Sequence, residues 1–327
     1  MTLAAPLPAL ALVDRSDRTR LCFDGEKAAA TLTGLVTNDL LALTDGQGQY
    51  ACALTPKGKI IADVRVLAVG APVTTLHVDT NAAAGPGFVA MIRKYVNPRL
   101  AKYADVTAAT RTLTLVGAAA HDAARTVLGD GVTPLAGAAR WSHVTVPFAD
   151  ATVRVVVSPE LGDTPCLDLV VDVAAHDALH GALLGAGATV TSTDAFDAAR
   201  IVAGWPAWGV DMDESTIPQE AEMDALQAIS YEKGCYTGQE TVARIHFRGH
   251  VNRHLRRVVV SDVAALPARG AELLAPDEDK PVGDLRSLVA LPDGTIAGLA
   301  MVRREIEPGA VVRIAGGGVA HISALVR

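Results

Sequence analysis

YEKGCYTGQETVAR, residues Tyr231–Arg244, packs a lysine, a thiol, two glycines and carboxylates into one short stretch. Thr237-Gly238-Gln239-Glu240 has the spacing of a capping box, in which the threonine hydroxyl accepts an amide of a new helix and Glu240 reaches back. That reading sets Cys235 two residues before the cap, near the positive end of the helix dipole, with Lys233 beside it. Both effects favour thiolate over thiol, so Cys235 is a candidate reactive thiol with Lys233 and Glu240 in support. Gly234 and Gly238 permit tight turns on either side and leave the sulfur accessible. A small buried cysteine in a glycine-rich turn is the competing reading.

Downstream, ARIHFRGHVNRHLRR carries five arginines and three histidines without an acid. Arg244 and Arg248 then belong to a local anion site for phosphates, carboxylates or an RNA backbone, or to a solvated basic face. If helical, His246, His250 and His254 fall along one stripe. No acidic or thiolate ligand supports them, so no metal site is expected. Upstream, FDAARIVAGWPAWGVDMDESTIPQEAEM crowds Phe196, Trp205 and Trp208 together in a chain with only 4% aromatics. The cluster is either the wall of a pocket for a flat ring or a core corner. GQYACALTPKGKIIADVRVL reads as a hairpin turning at Pro56-Lys57-Gly58-Lys59. Alternation puts Ile61, Asp63 and Arg65 on one face and Ile60, Ala62 and Val64 on the other. Asp63 either pairs with an arginine on an exposed strand or reaches into a pocket. His176 and His180 are expected at the surface.

The chain has 327 residues and a net charge of −7, from 29 basic and 36 acidic side chains. That balance argues against a general polyanion binder and against direct nucleic acid binding. No apolar run is long enough for a membrane span. The opening MTLAAPLPALALVDRSDR lacks a basic leader and reads as a mature terminus. Four scattered cysteines, none in a Cys-x-x-Cys pair, suit a reduced, cytoplasmic protein.

Strand signals at Thr19–Phe23, Tyr103–Ala108, Arg111–Val116, His143–Val146, Thr152–Val157 and Cys166–Val173 mix with helix signals at Glu26–Leu35, Gly87–Val96 and Ala174–Gly185. There is no regular βαβ cadence, which favours α+β over a doubly wound sheet. From Arg253 onward short apolar runs, the last at Ile322–Val326, alternate with Pro, Gly and Asp and predict a small β-barrel. The expected lobes are 1–115, 116–252 and 253–327, the first two able to interleave, with a linker near Ser261–Gly270.

KGCYTGQE (Lys233–Glu240), followed by AR and a basic FRG segment, resembles the signature of YgfZ-type folate-binding proteins. These share a superfamily with the glycine-cleavage T-protein, an aminomethyltransferase. GLVTNDL (Gly34–Leu40), PKGKIIADVRV (Pro56–Val66), RIVAGWPAWGVD (Arg200–Asp211) and IPQE (Ile217–Glu220) follow in the order of that family, so the resemblance covers most of the chain. It implies a three-lobed aminomethyltransferase-like ring, two mixed α/β lobes and a C-terminal barrel, around tetrahydrofolate or a derivative. It further implies a role in iron–sulfur cluster assembly or repair, with iron–sulfur assembly machinery or client enzymes as partners, some of which modify tRNA. On that view Asp63 and Phe196 face the folate, Trp205 lies beside them, and Cys235 is the family's thiol. Arg244 and Arg248 would hold the glutamyl tail or a partner. The transferases have an Asn-x-x-Gly-Gly stretch and paired acids where this chain has Thr55–Lys59 and only Asp63, and an acid where it has Val202. Those departures argue against glycine-cleavage activity. A folate-dependent aminomethyl transferase and a non-enzymatic RNA- or protein-binding module stay as alternatives.

Overall fold

The hairpin at Pro56–Lys59 starts the first of three β-assemblies in this computed structural model, which describes residues 7–325. Residues 1–6 of the N-terminal stretch and Val326, the end of the last expected strand, lie outside the described residues. Gly48–Leu54 and Ile60–Val69 pair antiparallel and continue through Thr75–Thr80, Thr19–Asp24 and Lys102–Asp105 into a five-stranded sheet. Helices Ala28–Thr33 and Gly85–Tyr95 cover one face, burying Phe23, Leu32, Phe88 and Ile92 against Ala62, Val64 and Val66. Each fully buried aromatic or aliphatic side chain contributes about 1.5–3 kcal/mol of transfer free energy.

The alternation read for Ile60–Val66 holds only from Ala62 onward. Ala53 faces Ala62, but the next pair is Leu54 with Ile60, so Ile61 is the extra residue of a bulge. Ile61 therefore packs with the first lobe's core, while Ile60 joins Tyr50 and Cys52 on the Asp63 side. The two isoleucines are exchanged relative to the expectation.

The second sheet runs Thr189–Val190, Ala11–Asp14, Thr110–Val116, Cys166–Asp172, Ala151–Val157 and His143–Phe148. Ala11–Asp14, unread in the sequence, lies parallel to Thr189–Val190 and antiparallel to Thr110–Val116. The two lobes interleave there. Helices Ala120–Leu128 and His176–Gly185 pack on this sheet around Leu113, Leu167 and Leu169.

Six strands, Arg253–Ser261, Ile296–Arg303, Pro281–Ala290, Glu272–Leu274, Val311–Ile314 and Val319–Ser323, close the predicted barrel. It starts at Arg253, five residues before the first apolar run; Val258 and Val260 turn into the barrel core, while Leu255 is buried against Leu299, Met301 and Leu325. The stretch Ser261–Gly270 is a loop inside the barrel, joining two of its strands, and not a linker. Among the described residues no helix is long and apolar enough to cross a membrane.

Candidate functional site

A cavity of about 280 Å³ opens where the two sheets meet the Trp205–Trp208 segment. Asp63 enters it from the hairpin, Arg15 and Arg18 from the loop after Ala11–Asp14, and Phe196 and Arg200 from the helix Thr193–Ala203. That helix starts because Ser192 accepts the amide of Ala195 at 3.2 Å. It stops because Gly204 turns left-handed, φ +86, within 2.6 Å of the Leu325 carbonyl at the position a Cβ would take. Phe196 and Arg200, four residues apart, consequently share the face toward the cavity.

Asp63 is the decisive side chain. It is buried, and Tyr50 Oη donates to its Oδ2 at 2.8 Å. Its Oδ1 is buried with no partner. Burial pushes the carboxyl above its usual range, against the pull of Arg18 and the Tyr50 hydroxyl. Burial and the adjacent carboxylate also hold Tyr50 well above the usual phenol value, so it stays a donor. Arg65 does not pair with Asp63 on an exposed strand. It pairs with Asp79 on the neighbouring strand of its own sheet at 2.7 Å and reaches across to Glu160 at 3.4 Å and to Asp168 of the second sheet by a short contact. Arg15 completes the array with Glu160 at 2.5 Å, and Arg18 with Asp79 at 2.6 Å. This charge wall was missed in the sequence. Its one signal was Asp168 inside the apolar run CLDLVV.

The aromatic cluster packs in a core and also lines the cavity. Tyr50, Trp141 and Trp205 pack with centroids 5.1–6.0 Å apart as a core joining the lobes. Phe196, Trp205 and Trp208 also line the cavity, with the Arg15 guanidinium 4.0 Å from the Phe196 ring centroid. Trp208 Nε1 is a buried donor without an acceptor. Arg200 clamps the base of the site through Asp197 at 2.6 Å, Asp211 at 2.5 Å and the Ser287 hydroxyl of the barrel at 3.0 Å.

The glycine-rich signature sits apart from that lining. The helix Gln239–Arg248 begins at Gly238, φ +83, and no side chain caps it. Thr237 therefore does not form the expected capping box, and Glu240 is an exposed acid in the first turn. Gly238 is required for a different reason. Its missing Cβ would lie 2.6 Å from the Thr55 carbonyl and 3.1 Å from Gly58 Cα, so the signature turn is seated on the Pro56–Lys59 turn.

Lys233 is also corrected. Its ammonium turns inward to donate to the carbonyls of Thr33, Val36 and Asn38, the latter two at 2.7 Å, and burial lowers its pKa to about 8. It fastens the GLVTNDL segment and does not project toward the sulfur as an activating cation. Thr37 Oγ1 donates to the Ala228 carbonyl at 2.6 Å, and Asn38 Nδ2 to the Tyr50 and Gln227 carbonyls at 2.9 Å. The two motifs thus hold each other. Cys235 is exposed and free, whereas Cys52 and Cys166 are buried.

The basic run divides. Arg253 is paired with Glu220 at 2.9 Å, and His254 and Arg256 with Glu222 at 2.6 and 2.9 Å. The acids absent from the run come from IPQEAE. His246 stacks on Tyr231 at 3.6 Å, and the helix ends at Arg248, so no three-histidine stripe forms. Arg244 and Arg248 stand exposed on that helix, outside the lining of the Asp63 cavity.

Residues 7–231 match the model of the GCVT N-terminal domain family. The chain belongs to that family. Over 96% of its length it is 28% identical to the tRNA-modifying protein YgfZ of Escherichia coli O157:H7, covering 91% of that relative. It is 29% identical to the tRNA-modifying protein YgfZ of Klebsiella pneumoniae, over 95% of this chain and 90% of the relative. The fold is that of the glycine cleavage system aminomethyltransferase T from Bartonella henselae, with a TM-score of 0.84 at 19% identity over 98% of this chain and 86% of that one. As a GCVT-family chain it keeps the lobes and the barrel of that fold. Ala62 lies in the core of the first lobe, and Val202 packs against Leu291 and Ala297.

Proposed function

We propose that this protein is a folate-binding accessory factor of the YgfZ type, acting in the cytoplasm in the assembly or repair of iron–sulfur proteins, including enzymes that modify tRNA. The observation that carries the folate assignment is the pair of unmatched buried polar atoms in one aromatic-lined cavity. Asp63 Oδ1 lacks a donor and Trp208 Nε1 lacks an acceptor. A reduced pterin offers ring N–H groups to the first and a ring acceptor to the second, and its flat face suits Phe196 and Trp205. The residues present therefore fit the group. Tetrahydrofolate, when bound, supplies nitrogens that carry one-carbon units. The chain's part is to orient it through Asp63, to exclude water with the aromatic wall, and to keep the Tyr50 proton on its oxygen.

Of the two buried carboxylates that line the cavity, Glu160 is held in ion pairs with Arg15 and Arg65, so Asp63 alone keeps an unpartnered oxygen and the chain is short of groups for proton transfer to an aminomethyl donor. That favours the accessory role over the transferase. Cys235, on the exposed turn, is the group available to a client protein, and Arg244 and Arg248 on the neighbouring helix are assigned to contact with that partner. Arg253, His254 and Arg256 of the basic run are paired with Glu220 and Glu222, which speaks against a nucleic acid module.

Calorimetric titration of the reduced protein with tetrahydrofolate and 5-formyltetrahydrofolate tests the reading. One-site binding is expected, weakened about tenfold or more by Asp63→Ala. Absence of saturable binding would overturn the folate assignment. Cys235→Ser should bind folate like the parent yet fail to sustain iron–sulfur enzyme activity in cells lacking the protein; full complementation would remove the thiol from the proposal.

A further inference from the structure

On the other side of the charge wall lies a second cavity, of about 220 Å³, between the two sheets. Asp79, bonded to Arg18 of the first cavity, belongs to its lining, so the wall separates the two spaces. Leu21, Leu67, Val78 and Val170 give the second cavity an apolar surface, and Thr145 and Thr152 add hydroxyls.

Two guanidiniums reach it, and among the described residues neither forms an ion pair within 4.0 Å. Arg154, on Ala151–Val157, hydrogen-bonds His77 Nε2 at 2.7 Å, and its Nε is buried with no partner. To accept that bond His77 must be neutral at Nε2, and burial together with Arg154 lowers its pKa to about 3. Among the described residues no carboxylate forms an ion pair with Arg154, and burial draws its own pKa down to about 10. Arg20 is 5% exposed and gives Nε to Thr110 Oγ1 at 2.7 Å and Nη2 to the carbonyls of Ser16, Thr107 and Thr110. Its Nη1 is left buried and unpartnered. Of the carboxylates in the lining, Asp79 is already shared by Arg18 and Arg65, and Asp172 is exposed. A guanidinium keeps its proton at neutral pH, and burying it without an opposite charge costs free energy that a bound anion would return.

We propose that this cavity is a binding site for a small oxyanion, a carboxylate or a phosphate, held by Arg154 and Arg20 and separate from the Asp63 cavity. His77 positions the Arg154 fork, the threonines supply neutral donors, and the apolar surface takes the body of the ligand. The site stands on its own charges and does not depend on the folate reading.

The test is calorimetric titration of the full chain at low ionic strength with benzoate and, separately, with inorganic phosphate, each repeated with saturating 5-formyltetrahydrofolate. Saturable one-site binding of at least one probe is expected, lowered about tenfold or more in Arg154→Gln and unaffected by the folate. Saturation by benzoate identifies the natural ligand as a carboxylate; saturation by phosphate alone identifies it as a phosphate. Arg154→Lys keeps the charge but loses the fork, so it should also bind more weakly than the parent, and it provides the comparison where Arg154→Gln does not fold. The proposal is overturned if neither probe saturates, if both variants bind like the parent, or if the folate displaces the probe.

Discussion

Acidification should destabilise this protein through two imidazoles before most of its carboxylates titrate. His143 is 4% exposed and bonds the Ala68 carbonyl through Nε2 at 3.1 Å, and burial with the nearby Arg154 lowers its pKa from 6.5 to about 4. His77 falls from 6.5 to about 3 for the same two reasons. Both folded values lie below the unfolded one, so the contribution is fully present above pH 6.5. It is lost as pH falls toward 4 and then 3, because only the unfolded chain takes up the protons. Between about pH 7.5 and about pH 5, each group should remove about 2 kcal/mol, so about 4 kcal/mol goes in all. That is a large share of the roughly 5–15 kcal/mol typical of a folded domain. Asp63, whose carboxyl is raised by burial, offsets part of this at the acid end. Urea unfolding followed by tryptophan fluorescence at the two pH values measures the loss. His143→Gln can retain the bond to Ala68 but cannot titrate, so it should lose only about 2 kcal/mol over the same interval. Equal stability of the parent at both pH values, or an unaltered pH dependence in His143→Gln, would refute the reasoning.

Three further outcomes follow from the packing. Gly238→Ala should destabilise by about 1–2 kcal/mol for the left-handed backbone alone, and by more because its Cβ meets the Thr55 carbonyl; thermal unfolding will show it. Asp168→Ala should cost about 3–5 kcal/mol, since it leaves buried Arg65 and Arg15 short of a counter-charge, and a stability equal to the parent would contradict the charge wall. Lys233→Met preserves the apolar stem but strips three carbonyls of their donor, so it should free the Thr33–Asn38 segment, seen as faster amide exchange around Thr37 and Ala228.

Local pattern revealed much of this molecule. The hairpin around Pro56–Lys59 rests on contacts between neighbours in sequence; the barrel closes through longer-range pairing of Arg253–Ser261 with Ile296–Arg303 and Val319–Ser323, and its strands are readable because each apolar run is bounded by turn residues. Asp63, Phe196 and Trp205 do meet in one cavity, although the order of family motifs, and not spacing, suggested it. Lys233 was misjudged because adjacency in sequence says nothing of direction, and its partners lie some two hundred residues away. The basic run looked unopposed for the same reason, since Glu220 and Glu222 answer it only after folding. The bulge at Ile61 is a one-residue slip that no alternation rule could place. Arg15, Arg18, Glu160 and Asp168 carried no shared signal, because the wall they form is assembled from separate strands and loops.

The strand Ala11–Asp14 sits between Thr110–Val116 and Thr189–Val190. On the ribosome, at roughly 5–20 residues per second, its parallel neighbour is made about ten seconds or more after the strand itself. During that interval the first five-stranded sheet, whose members all lie between Thr19 and Asp105, can form without it. The nascent chain must meanwhile carry an apolar N-terminal segment with an unfilled edge, exposed to chaperones and to mispairing. Synthesis rate across residues 110–190 should therefore govern the yield of native protein, and a purified fragment ending before Thr189 would leave that edge open.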